Sequence, residues 1–171
     1  LGSFNQRDLI LTTSLPLSDT FRVGGSLALL QRDGFGENIN IGGENYNKNI
    51  TAGRLSAEWD ITSNADAKFS ADWLLDESAP RQGHRLIPGQ FSGAPVLDNV
   101  FDTRAGLDIV EQNAEGGGAS LVFTVDVNDN VTFKSISAYR EDESTTPIDF
   151  DSLPSGDLDV PAIYENDQLS Q

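Results

Sequence analysis

Apolar and polar residues alternate with a period of two along much of this chain, and the segments that do so are joined by connections of alternating length. Period two places successive side chains on opposite faces of an extended strand, so each segment reads as a two-faced β-strand. Residues 9–17 carry Leu9, Leu11, Thr13, Leu15 and Leu17 on one face, and residues 21–29 carry Phe21, Val23, Gly25, Leu27 and Leu29. Leu55, Ala57, Trp59 and Ile61 alternate with Arg54, Ser56, Glu58 and Asp60; Ala67, Phe69, Ala71, Trp73 and Leu75 alternate with Lys68, Ser70, Asp72 and Leu74. Leu121, Phe123, Val125 and Val127 then face away from Ser120, Thr124 and Asp126, and a sixth strand follows at 131–140. In that last strand the alternation slips after Phe133, because Ile136 and Ala138 fall on the even face; either a bulge near Lys134 or Ser135, or a less cleanly two-faced strand, accounts for it.

The connections are short, long, short, long, short, long. Ser18-Asp19-Thr20, residues 62–66 and Asn128-Asp129-Asn130 are tight polar turns, built from side chains that bond nearby backbone. Residues 33–49, 76–117 and 141–166 read as long loops. No helical periodicity persists, and 16 glycines and 7 prolines punctuate the chain. The expected fold is therefore all-β, an antiparallel up-and-down meander of about six strands.

Composition narrows the partners. With 27 acidic and 11 basic residues the formal charge is −16, which argues against nucleic acid and against a polybasic anchor on anionic lipid. Cysteine is absent, so disulfides and thiolate metal sites are excluded. No apolar run approaches the ~18 residues of a membrane helix. The chain contains no methionine, opens on Leu1-Gly2-Ser3-Phe4 without a signal peptide, and stops at Asp167-Gln168-Leu169-Ser170-Gln171, which reads like the start of another strand. We expect a piece of a longer polypeptide or a processed product.

The open question is what the apolar face meets. In a soluble sandwich it packs against a second layer. In a transmembrane barrel it meets lipid, with short turns at one end and long loops at the other. Nine residues at about 3.3 Å per residue make roughly 30 Å of strand, or roughly 21 Å of height at 45° tilt, near the ~25 Å apolar band of an outer-membrane barrel. Charged residues alternate on the polar face, and Phe21, Trp59, Phe69, Trp73 and Tyr139 fall near strand ends as interfacial girdles do. On this reading Leu55, Trp59, Phe69, Trp73, Leu121, Phe123 and Val125 face lipid.

Several stretches, in order, resemble TonB-dependent outer-membrane receptors of Gram-negative bacteria. Val131-Thr132-Phe133-Lys134-Ser135-Ile136-Ser137-Ala138-Tyr139-Arg140 resembles a strand of that family, followed by an acidic loop and a strand opening like Gln168-Leu169-Ser170-Gln171. Leu15-Pro16-Leu17-Ser18-Asp19-Thr20 is similar to a periplasmic turn of the early barrel, and Arg32-Asp33-Gly34-Phe35-Gly36-Glu37-Asn38 to the loop start after it. Arg54-Leu55-Ser56-Ala57-Glu58-Trp59 and Ala71-Asp72-Trp73 fit the next hairpin. The resemblance implies that residues 1–171 are part of a barrel of about 22 strands closed by an N-terminal plug that this chain does not contain. It implies outer-membrane lipid, the TonB complex acting through the plug, and a scarce nutrient such as a ferric siderophore as partners. Cobalamin, a glycan or another nutrient remain open as ligands. A soluble extracellular calcium- or carbohydrate-binding β-domain and a segment of a passive porin are the competing readings.

No catalytic constellation stands out, and no cofactor is implied. His84 is the only histidine, within the locally basic Arg81-Gln82-Gly83-His84-Arg85. Arg81, His84 and Arg85 are candidates to hold an anionic ligand through charge-assisted hydrogen bonds, against the plainer reading of a solvated loop. The stretch from Glu141 onward is strongly acidic, and Asp149 and Asp151 are weak calcium candidates because they lack the EF-hand spacing. Gly42-Gly43 and Gly116-Gly117-Gly118 do not lie between a strand and a helix, so they read as flexible loop or strand-entry positions rather than phosphate loops.

Overall fold

The computed structural model describes residues 1–79, 82–107, 113–155 and 158–171. The described residues form strands and no helix: β1 (Arg7–Pro16), β2 (Phe21–Arg32), β3 (Gly36–Glu37), β4 (Glu44–Asn45), β5 (Lys48–Thr62), β6 (Ala65–Asp76), β7 (Asn113–Asn128), β8 (Val131–Asp149) and β9 (Asp159–Ser170). Seven of them make one antiparallel sheet in the order β1-β2-β5-β6-β7-β8-β9, and β3 pairs with β4 in a small ribbon. Each long strand pairs with its neighbour in the chain, as a meander requires. The sheet does not close: β1 and β9 are its two edges.

The expected alternation of connections is present. β1–β2, β5–β6 and β7–β8 are joined by tight turns at one end of the sheet, and β2–β5, β6–β7 and β8–β9 by longer segments at the other. Polar side chains close the tight turns. The Asn130 amide donates to Asn128 Oδ1 at 3.0 Å, and Asn64 Nδ2 donates to the Asp126 carbonyl at 2.9 Å, tying two neighbouring turns together.

Two expectations are corrected, and a choice between two readings is decided. The sheet has seven long strands instead of six, because most of the acidic stretch 141–166 is strand: β8 runs on to Asp149 and β9 starts at Asp159. Acidic residues have low β-propensity, but here backbone pairing in register from Ala138↔Ser170 to Asp149↔Asp159 overrides it. Secondly, no bulge occurs at Lys134 or Ser135. β7 and β8 stay in register from Asn113↔Thr145 to Asp126↔Thr132, and the irregularities fall beside the short turns, at Asp60/Thr62 and Asp126/Asn128. β8 is simply less cleanly two-faced, with Ser135 and Ser137 on the apolar side and Ile136 on the other. Thirdly, Gly116, Gly117 and Gly118 lie inside β7. A Cβ on Gly118 would stand 2.6 Å from the Tyr139 carbonyl oxygen and one on Gly117 2.8 Å from that of Asp72, so the glycines are there for close strand approach.

Replacing Gly118 by valine forces β7 and β8 apart. The expected loss is roughly 1–3 kcal/mol, read as a lowered midpoint in denaturant unfolding; an unchanged midpoint would contradict this packing.

Candidate functional surfaces: the uncovered sheet face and the loop cap

Among the described residues nothing forms a second layer over the sheet's apolar face. Leu55 is 64% exposed, Trp59 50%, Leu121 48%, Phe69 43% and Trp73 40%, while Phe123 and Val125 are partly shielded by their neighbours. Among the described residues the buried apolar side chains are Ala105, Pro147 and Ala162, too small to constitute a core for a chain of this length. A continuous apolar face this large is the mark of a surface made for another phase or partner.

Its boundary is not level. In β1 the apolar band occupies the hydrogen-bonded rows of Leu9 to Leu15. Followed across the sheet, the Leu9 row runs through Leu29, Thr51 and Leu75 to Glu115, Glu143 and Glu165, and the Leu11 row through Leu27, Gly53 and Trp73 to Gly117, Glu141 and Asp167. In β8 the band instead occupies the rows of Phe133 to Tyr139. The Tyr139 row contains Thr13 of β1, so the band has moved two rows, or four residues, toward the short turns over five strand-to-strand steps. Strands tilted 35–45° to a level boundary shift by about one residue per step, given a ~4.8 Å strand spacing and a ~3.3 Å rise. The slide is of that size.

At the upper boundary the amphipathic rings point their polar tips toward the acids: Trp73 Nε1 donates to Glu115 Oε1 and the Tyr139 hydroxyl to Glu141 Oε2, each at 2.7 Å. Beyond the boundary Glu115, Glu143 and Glu165 stand directly opposite one another across β7, β8 and β9.

The other face carries exposed ion pairs and hydroxyls. Arg22 Nη2 reaches Asp60 at 2.9 Å and Arg22 Nε reaches Glu58 at 3.5 Å; Lys68 stands 3.8 Å from Glu58. Arg140 holds Asp72 with both guanidinium nitrogens, Nη1 at 2.9 Å, and Ser70 and Ser120 hydroxyls meet at 2.9 Å. Such exposed pairs contribute little stability each, but they make this a wet face.

The long connections fold onto one another as a cap. Phe35 stacks on Tyr46 at 5.0 Å, and Phe101 meets both edge-on at 5.0 and 6.0 Å; Phe4 adds a fourth ring at 5.8 Å from Phe35. Arg32 lies over Phe35 at 5.1 Å and donates to the Tyr46 carbonyl. The buried polar residues of the described chain are all here: Asn45 Nδ2 donates to Thr103 Oγ1 at 3.0 Å, and Asn38 Nδ2 to the Ala105 carbonyl at 3.2 Å. Tyr46 is held at φ 65°, a conformation that costs a bulky residue on the order of 1–3 kcal/mol.

Of the basic candidates, Arg81 lies outside the described residues. His84 Nδ1 sits 3.0 Å from the Asp102 carbonyl oxygen, and Arg85 donates to the carbonyls of Asp151 at 2.6 Å and Ile87 at 3.3 Å. His84 therefore closes the β6–β7 connection on itself, and Arg85 latches that connection to the β8–β9 one. The cavity between them, bounded also by Arg104, holds about 10 Å³, room for a single water. The calcium candidates Asp149 and Asp151 gain a third member that sequence reasoning missed, Asp159, brought opposite Asp149 by the β8–β9 register. One oxygen from each lies within 4.8 Å of the others. Asp149 Oδ1 already accepts the Asp151 and Ser152 amides, and its Oδ2 the Gly106 amide, so it also shapes the hairpin tip. Three carboxylates supply only part of the six to eight oxygens calcium takes. Also missed was the aromatic cluster of the cap, whose one signal was the presence of Phe35, Tyr46 and Phe101 in the long connections.

No protein-family model, curated protein or solved structure matches this chain.

Two predictions follow from these surfaces. Asn45→Ala leaves the Thr103 hydroxyl without its buried partner at a cost of about 1–3 kcal/mol, which opens the cap; limited proteolysis is expected to cleave residues 33–47 faster while the sheet remains intact. Glu143→Gln removes the middle charge of a like-charge ladder and is expected to stabilise the fold by ~0.2–1 kcal/mol, measured as a raised unfolding midpoint at low salt.

Proposed function

We propose that this chain is a stretch of barrel wall from an energy-coupled outer-membrane receptor, with β1–β9 crossing or rising above the membrane and the loop cap on the external side. The observation that carries this reading is the uncovered apolar face with its sliding boundary: a sheet standing upright in lipid needs an apolar band that is level in the membrane and therefore oblique in the strand register. Amphipathic rings at the band's edge, a wet opposite face and short turns at one end support it. The resemblance to TonB-dependent receptors supports energy-coupled uptake of a scarce nutrient over a passive pore. The two sheet edges call for further strands of the same barrel. The β7–β8–β9 hairpins are longer than the 9–11 residues that cross a bilayer, and their acidic ends belong above it.

A lipid-facing site distinguishes itself from an aqueous one by the cost of charge. In the full-length protein folded into phospholipid vesicles, Leu55→Arg is expected to lower unfolding stability by about 2–4 kcal/mol. A change within ±0.5 kcal/mol, the ordinary range for a water-exposed position, would sink the lipid-facing reading.

A further inference from the structure

Above Thr145 the β8–β9 hairpin leaves the sheet. β7 begins at Asn113, opposite Thr145, so among the described residues β8 and β9 continue from Thr146↔Ala162 to Asp149↔Asp159 as a ribbon of two strands. Such a ribbon has little stability of its own. Its root sets Pro147 opposite Pro161, and neither supplies an N–H to the ladder. We propose that the tip of this ribbon, residues 149–155, is a flap that closes over the basic pocket of His84, Arg85 and Arg104 and opens about the paired prolines. The device is independent of what covers the sheet's apolar face.

The β6–β7 connection is shaped as the seat of this tip. A Cβ on Gly83 would stand 2.6 Å from Ser152 Oγ, and one on Gly106 2.7 Å from the Pro154 carbonyl oxygen. Side chains there would hold the tip off, so the two glycines are what lets it settle. Three hydrogen bonds then fasten it. Arg85 Nη1 donates to the Asp151 carbonyl at 2.6 Å, the Gly106 amide to Asp149 Oδ2 at 3.3 Å, and Asn40 Nδ2 to the Pro154 carbonyl at 3.4 Å. In this position Ser152 helps wall the pocket lined by His84, Arg85 and Arg104 and leaves it about 10 Å³. Lifting the tip takes that wall away and releases Arg85 Nη1 from an acceptor inside the chain.

The hold is polar and therefore weak. Leu153 lies against Gly89, but Phe150 and Leu158 stay 63% and 59% exposed, so little apolar burial secures the tip. Ser152 is kept at φ 54°, a strained backbone of the kind found at switch segments. Charge favours closure: Asp149, Asp151 and Asp159 gather one oxygen each within 4.8 Å at the tip, and the seat carries Arg85 and Arg104. Attraction between groups this near the surface falls as salt rises. A few hydrogen bonds and a screened attraction, set against strain and a marginal ribbon, give closed and open states of similar free energy.

The test locks the flap. Residues 1–171 contain no cysteine, and a Cβ on Gly83 would lie 3.9 Å from Ser152 Cβ, a separation a disulfide accepts. In the full-length protein the double variant Gly83→Cys/Ser152→Cys is expected to oxidise to that bond. Two rates are then read by mass spectrometry: hydrogen exchange of the Gly106 amide, which donates across the latch, and carbethoxylation of His84, the one histidine of these residues. Relative to the unsubstituted protein the oxidised pair is expected to slow both about tenfold, and reduction to restore them. Arg85→Gln, and separately a rise to ~0.5 M salt, are expected to speed Gly106 exchange severalfold. The oxidised and reduced pair share one sequence, so the comparison stands even where Arg85→Gln disrupts the cap. Failure of the pair to oxidise, equal Gly106 exchange in the locked and unsubstituted proteins, or His84 reactivity indifferent to the lock would each overturn the proposal.

Discussion

A β-sheet with one apolar face must bury that face, and in this chain nothing within the described residues does so. Leu55, Trp59, Phe69 and Trp73 stand in a row of strands with no helix and no second sheet above them. Everything else is arranged around that constraint. Between the edges β1 and β9 the backbone hydrogen bonds are satisfied strand to strand, as in the wall of a closed barrel, whereas an uncovered apolar face in water invites association. The cost of exposing the face disappears when an apolar phase or a partner surface covers it, and the oblique band is why the lipid reading leads the proposal.

The packed interior of the molecule lies where the chain leaves the sheet. Ala105, Asn38, Asn45 and Thr103 are buried between the long connections, and the rings of Phe4, Phe35, Tyr46 and Phe101 meet there. Loops with many polar residues are held together by hydrogen bonds to backbone carbonyls, with Asn38, Asn40, His84, Arg85 and Arg104 as the reaching side chains. Such a cap presents a shaped rim above the wet face. His84 and Arg85, candidate ligand contacts by composition, both reach backbone carbonyls within the cap.

The strands from Leu9 to Phe133 were legible because period-two alternation and turn residues are local signals, and both survive folding unchanged. The stretch from Glu141 to Asp149 was not. Its side chains favour loop, and only pairing with β7 on one side and β9 on the other makes it strand. The slip after Phe133 had two local explanations, and the register selected the one without a bulge. Asp159 could not be joined to Asp149 and Asp151 before the hairpin register was known, and Tyr46 gave no sign of its positive φ because it is neither glycine nor asparagine.

By itself the sequence determined that the chain is antiparallel β, which face of each strand is apolar, and that short and long connections alternate, since all three follow from residue spacing along a single strand. Only the tertiary structure decided how the strands stand against one another. Register is a relation between segments far apart in sequence. It is register that sets carboxylates of β7–β9 in line with leucines of β1, and so turns a list of alternating strands into a sheet with an oblique apolar band.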